Sequence, residues 1–172
     1  AKDVTLLYIS DTIDPLRKVY PFLNEEKYSR YVGHPLNRVP CPCGQHDNYA
    51  DHYLEPFLWV VDTLGIELNV LKTHELYAKG EYYHSIKIAL ENRDEIRRIL
   101  LEILGRDLGN DWYPYRPICH SCGSMNNTKV VGFEDPYVEY KCEGCGYNGK
   151  SDIRKDDGKL PWRVDWPARW YF

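Results

Sequence analysis

Apolar residues first run together at Val4-Thr5-Leu6-Leu7-Tyr8-Ile9, which predicts a short strand buried on both faces. Ser10-Asp11-Thr12 and Asp14-Pro15 then supply turn and cap residues. Residues 24 to 48 are polar and irregular, with Pro35, Pro40 and Pro42 and no clear period. Beyond them Tyr49, Tyr53, Phe57, Val60, Val61 and Leu64 make one apolar stripe at spacings of 4, 4, 3, 1 and 3. That stripe predicts a helix with a core face, capped by Asn48 and ended at Gly65. Ile66-Glu67-Leu68-Asn69-Val70 alternates as a strand does. A second helix is expected from about Arg93 to Leu104, its core face formed by Ile96, Ile99, Leu100, Ile103 and Leu104. Asn92 is its expected cap, with Glu95 completing a capping box and Gly105 past the end.

Strand, irregular segment, helix and strand in that order predict a parallel α/β unit. From Trp112 the texture changes: Pro114 and Pro117 lead into a cysteine-rich stretch. Within it Lys129–Phe133 and Tyr137–Tyr140 read as strands joined by Glu134-Asp135-Pro136.

The 172 residues are 43% hydrophobic, 28% charged and 14% aromatic, the composition of a folded globular chain rather than a disordered one. No run of about 18 apolar residues suggests a transmembrane helix, so no membrane partner is expected. Residue 1 is Ala, and no basic stretch followed by an apolar core is visible after it; the expected compartment is the cytoplasm. A net charge of −4 argues against a protein that coats nucleic acid, so any such contact must be local. Between Lys150 and Phe172, Lys150, Arg154, Lys155, Lys159, Arg163 and Arg169 face Asp152, Asp156, Asp157 and Asp165, a weak basic bias.

Candidate chemistry is concentrated in cysteines. Cys119-His120-Ser121-Cys122-Gly123 and Cys142-Glu143-Gly144-Cys145-Gly146 are matching Cys-x-x-Cys turns, each followed by glycine. Such turns grip one metal, and four thiolates close its coordination sphere, so a structural zinc is expected at Cys119, Cys122, Cys142 and Cys145. The competing readings are disulfides or a redox Cys-x-x-Cys. A second set, Cys41, Cys43, His46 and His52, could make a Cys₂His₂ site, with Asp47 or Asp51 as a substitute for one histidine. Its spacing is not a common finger pattern, and the bland alternative is a loop with buried thiols and solvated histidines. Asp11, at the carboxyl end of the first strand, stands where open α/β sheets place ligands; the alternative is a helix cap by Asp11 or Asp14.

The closing Lys159-Leu160-Pro161-Trp162-Arg163-Val164-Asp165-Trp166-Pro167-Ala168-Arg169-Trp170 interleaves tryptophan with charge, which is costly on a free surface. Composition alone would allow an aromatic core corner. The segment nevertheless resembles the stretch that re-enters the catalytic fold of class I, archaeal-type lysyl-tRNA synthetases, and Trp162 and Asp165 match a Trp-x-x-Glu segment of cysteinyl enzymes. Leu6 to Val19 looks like the second catalytic strand of the same family. The resemblance covers essentially the whole chain. It implies an α/β fold with a partial Rossmann-like parallel sheet, helices and an inserted zinc-ribbon subdomain. The expected divisions are residues 1–112, part of the catalytic fold; 113–150, the ribbon; and 151–172, the return segment.

The resemblance also implies the parent reaction. ATP, with magnesium, activates the lysine carboxylate as a lysyl-adenylate, and the lysyl group passes to tRNA(Lys). Lysine, ATP and tRNA(Lys) are therefore the expected partners, and zinc and ATP the expected cofactors. Trp162 and Trp166 could offer aromatic faces to the lysine ammonium and Asp165 its charge, Asp11 the α-amino partner, and Arg163 and Arg169 a pairing or tRNA-end contact. No catalytic nucleophile is expected. The family's His-x-Gly-His and Lys-Met-Ser-Lys-Ser signatures are absent from these residues, so the chain alone is expected to be inactive. The rival class is a non-enzymatic zinc-ribbon module that binds RNA or protein.

Overall fold

A computed structural model describes residues 4–105 and 107–171. It divides into two compact units, Ala1–Leu76 and Tyr77–Phe172.

In the first unit, strand β1 (Leu7–Ser10) is followed by the one-turn helix α1 (Glu25–Tyr28) and the long helix α2 (Tyr49–Thr63). Strand β2 (Asn69–Lys72) then pairs with β1 in parallel, Leu7 opposite Asn69 and Ser10 opposite Lys72. This is the parallel α/β unit that the order of patterns predicts. Asn48 caps α2 as expected, its Oδ1 accepting from the Asp51 amide at 2.9 Å. The second strand begins at Asn69 rather than Ile66, because Ile66 is still tied to the helix end: its amide donates to the Val61 carbonyl at 3.1 Å.

The burial expectations for this unit need correction. Leu7 and Tyr8 of β1 are 43% and 37% exposed, because the sheet holds only β1 and β2 among the described residues. The α2 stripe buries Tyr49 but leaves Phe57, Val60 and Leu64 exposed. The core instead forms around the segment read as irregular, where its Tyr28 and Val39 pack with Leu16, Leu23 and Tyr49. Two short 3₁₀ turns, Ser29–Tyr31 and Leu36–Arg38, wrap it. Tyr28 donates its hydroxyl to the Pro40 carbonyl at 3.1 Å, and the Leu16 amide donates to the His34 carbonyl at 2.8 Å. These bonds satisfy backbone groups that no regular element would satisfy.

Helix α3 (Thr73–Ala78) leads into the second unit, where α4 (Tyr83–Glu91) and α5 (Arg93–Leu104) follow. The bounds of α5 match the predicted helix, but its cap and core face do not. Asn92 also ends α4, and its side-chain amide donates back to the Ile88 carbonyl at 2.9 Å, so it makes no cap bond to α5. Glu95 pairs with Arg98 instead of completing a capping box. No residue of α5 is buried, and Ile103 is 73% exposed.

Short strand β3 (Arg116–Pro117) opens the cysteine-rich region. Strands β4 (Thr128–Glu134), β5 (Tyr137–Cys142) and β6 (Asn148–Asp152) form an antiparallel sheet, and β7 (Gly158–Lys159) pairs with β3. The first two are the predicted hairpin; β6 extends it. Its turn is clamped to α4, since Asp135 accepts from the Tyr83 hydroxyl at 3.0 Å and pairs with Lys87 Nζ at 2.5 Å. Helix α6 (Trp162–Ala168) closes the chain, followed by a 3₁₀ turn over Arg169–Tyr171. No helix among the described residues is long and apolar enough to cross a membrane.

Candidate functional site

The β4–β5 hairpin brings the two Cys-x-x-Cys turns face to face. The turns share one hydrogen-bond pattern despite different sequences. The Gly123 and Gly146 amides donate to the Cys119 and Cys142 carbonyls, both at 2.8 Å. The Cys119 and Cys142 amides donate onward to the Ser124 and Tyr147 carbonyls, at 3.0 and 2.8 Å. Both glycines lie in the left-handed region, φ +74° and +77°, which a β-carbon would disfavour. The four sulfurs lie within 4.8 Å of one another, with Cys119–Cys145 at 3.6 Å and Cys122–Cys142 at 3.7 Å. A tetrahedral ion about 2.3 Å from each sulfur sets its thiolates about 3.8 Å apart, so this cage fits zinc. The cysteines are free rather than paired in disulfides. Burial pushes the Cys122 thiol up to about 12 and raises that of Cys119, while the Tyr147 amide leads in drawing Cys145 down to about 7. Four thiolates this close need a cation to ionise together.

The second set is as compact. Cys41 and Cys43 lie in the loop before α2, His46 follows in that loop, and His52 stands one turn inside α2. Their ligand atoms, two Sγ and two Nδ1, mark the corners of a tetrahedron. Cys41 lies 3.2, 3.3 and 3.6 Å from Cys43, His46 and His52. The remaining edges are 3.3 Å for Cys43–His46, 3.2 Å for Cys43–His52 and 3.4 Å for His46–His52. Zinc bonded to two sulfurs and two nitrogens requires edges of about 3.3–3.8 Å, which this set approaches. Asp51 takes no part: its carboxylate is engaged by Asn48 Nδ2 and Lys72 Nζ, both at 2.7 Å. Asp47 is exposed and lies outside the group. Burial works against a charge on Cys41, but hydrogen bonds from Cys43 and His46 more than offset it and hold the thiol at about 5. Glu55 first, then Cys41, push the His46 imidazole up to about 9.

The residues expected to bind the amino acid fall in both units. In the first unit Asp11 follows β1 and lines a cavity of about 170 Å³ together with Tyr8, Ser10, Thr12, Tyr53 and Phe57 among others. In the second, Asp165 on α6 is 0% exposed. The Tyr77 hydroxyl donates to its Oδ1 at 2.8 Å and Arg169 Nε to its Oδ2 at 2.8 Å. Tyr77 also accepts from the Leu160 amide at 3.0 Å, so one phenol fixes both ends of the turn into α6. Trp162 and Trp166 are 56% and 54% exposed, their rings 5.7 Å apart and 67° inclined. The Arg169 guanidinium lies 5.3 Å from the Trp166 ring centre.

Residues 1–172, the whole chain, match the family described as tRNA synthetases class I (K). The chain belongs to that family. The lysine–tRNA ligase of Picrophilus torridus is 48% identical over 167 residues, 97% of this chain and 32% of its own length. That of Archaeoglobus fulgidus is 46% identical over 168 residues, 98% of this chain and 34% of its own length. Lysine–tRNA ligase 1 of Methanosarcina acetivorans is 50% identical over 170 residues, 98% of this chain and 31% of its own length. The chain thus spans about a third of the length of these curated relatives.

Within this class I synthetase chain, two residues beside the candidate sites escaped the sequence reading. Tyr77 lies 88 positions from Asp165, and no spacing announces that contact. Glu55 touches His46, its Oε2 lying 2.6 Å from His46 Nε2. Its signal was present but weak: it follows His52 by three positions in a helix, and so shares a face with it.

Proposed function

We propose that this chain is the part of a lysine–tRNA ligase that contributes to the amino-acid pocket and carries a metal-bearing insertion near the tRNA acceptor end. The observation that carries this reading is the 46–50% identity to lysine–tRNA ligases across nearly the whole chain. In the full-length protein, acting in the cytoplasm, the lysine carboxylate attacks the α-phosphorus of ATP. Lysyl-adenylate forms and pyrophosphate leaves; the lysyl group then passes to the 3′ end of tRNA(Lys) as AMP is released. Cys119, Cys122, Cys142 and Cys145 would hold one zinc, and Cys41, Cys43, His46 and His52 a second. With four protein ligands each, both ions serve structure rather than catalysis.

The exposed faces of Trp162 and Trp166 are proposed to receive the lysine ammonium, which binds aromatic faces through their quadrupole. Asp11 is proposed for the α-amino group. Asp165 already satisfies Arg169 and Tyr77, which supports a positioning role: it holds α6 so that the tryptophans present their faces. Lysine-dependent pyrophosphate exchange by the full-length protein tests the reading. Trp166→Ala should raise the lysine KM by roughly 5- to 30-fold, in line with about 1–2 kcal/mol for a cation on an aromatic face, and leave the ATP KM nearly unchanged. Exchange driven by another amino acid, or a lysine KM indifferent to Trp166, would overturn it. The 172-residue chain by itself should give no exchange above background.

A further inference from the structure

The geometry points to Glu55 as the positioning residue of the Cys41–Cys43–His46–His52 site, a carboxylate that fixes which nitrogen of His46 meets the metal. The inference rests on the metal reading proposed above and goes one step further, to a residue outside the ligand set. The ligand atom of His46 is Nδ1, which lies 3.3 Å from each cysteine sulfur and 3.4 Å from His52 Nδ1. A neutral imidazole that gives its Nδ1 lone pair to a metal must carry its proton on Nε2. That N–H needs an acceptor, and Glu55 Oε2 lies 2.6 Å away. The other tautomer would put a proton on Nδ1, inside the tetrahedron, and two nitrogens would no longer face a cation.

Chain placement explains why His46 needs this help. Cys41 is 5% exposed and held by its packing, and His52 is fixed by α2. His46 comes from the loop Pro42–Asp47, in which no regular element is assigned. Glu55 is on α2, one turn beyond His52, so a single helix carries one ligand and the anchor of another. The Glu55 side chain is 68% exposed and that of His46 16% exposed. An ion pair this open adds little to global stability. Its effect is orientation, and carboxylate partners of ligating histidines typically govern metal affinity by about 10- to 100-fold.

The test uses the full-length protein loaded with zinc, measuring release of the metal to excess chelator and the melting temperature at saturating zinc. Glu55→Ala should weaken the site by about 10- to 100-fold, and Glu55→Gln, which keeps an acceptor without the charge, should fall between it and the wild type. Asp62→Asn, which removes a carboxylate further along α2, should release zinc at the wild-type rate. All should melt alike when saturated. Equal release from Glu55→Ala and the wild type would overturn the inference, as would a melting loss that tracks the release. Failure of the underlying metal reading is read separately, by zinc-edge X-ray absorption on the native protein. Two filled sites average to three sulfurs and one nitrogen per zinc, whereas a ribbon site alone shows sulfur only.

Discussion

At the scale of single residues, Asp165 is the decisive case. It is fully buried, and its partner Arg169 is 11% exposed at the side chain. Removing one partner of such a buried pair costs about 3–5 kcal/mol, because the other charge is left uncompensated. Asp165→Asn should therefore lower the melting temperature of the full-length protein by roughly 3–5 °C, measured by calorimetry at saturating zinc. A thermally silent Asp165→Asn with weakened lysine activation would mean that the carboxylate serves the substrate directly. The tryptophans, the acid and the arginine were all legible in the sequence as an unusual cluster. The burial of Asp165 was not, because Tyr77 supplies the contact from a helix that the apolar pattern did not reveal. The cysteine sets were legible for the opposite reason: ligand spacing is local, and a tight turn encodes its own geometry.

Elements show where pattern and packing part. Asn48 and Asn92 look alike in sequence, each standing before a helix, yet only Asn48 makes its cap bond. Asn48→Ala should cost about 1 kcal/mol and speed zinc release from the site that α2 helps build. Asn92→Ala, which loses one exposed side-chain bond, should cost less than about 0.5 kcal/mol. Equal costs in chemical denaturation would contradict this difference. The segment after β6 offers a pH test. Arg154, whose Nε and Nη2 lie 2.9 and 2.8 Å from Asp152, holds that carboxyl below the usual carboxylate range despite burial. A depressed folded pKa stabilises above the unfolded value of about 3.9 and is lost as pH falls through the lower folded value. Asp152→Asn should therefore lower stability at neutral pH and flatten its decline in acid, read from melting curves between pH 7 and 2.

On the scale of the whole molecule, the apolar stripes of α2 and α5 were read correctly as stripes and wrongly as buried. Phe57, Val60, Leu64 and Ile103 remain exposed. A periodic stripe states that a face is apolar and leaves open which residues cover it. The parallel β1–β2 pair is exposed in the same way, with Leu7 and Tyr8 at 43% and 37%. The two compact units each contain one four-ligand set. Thiolate binding to zinc is coupled to folding, so chelation should increase amide exchange across residues 117–147 before α4. Exchange that rises uniformly would contradict the ribbon's dependence on its metal.

The most direct test of the account is elemental analysis of the native protein, purified without added metal and paired with a count of free thiols. Two zinc ions per chain, with all six cysteines free once the protein is denatured in chelator, is the predicted result. Less than half a zinc per chain, with cysteines recovered as disulfides, would contradict it.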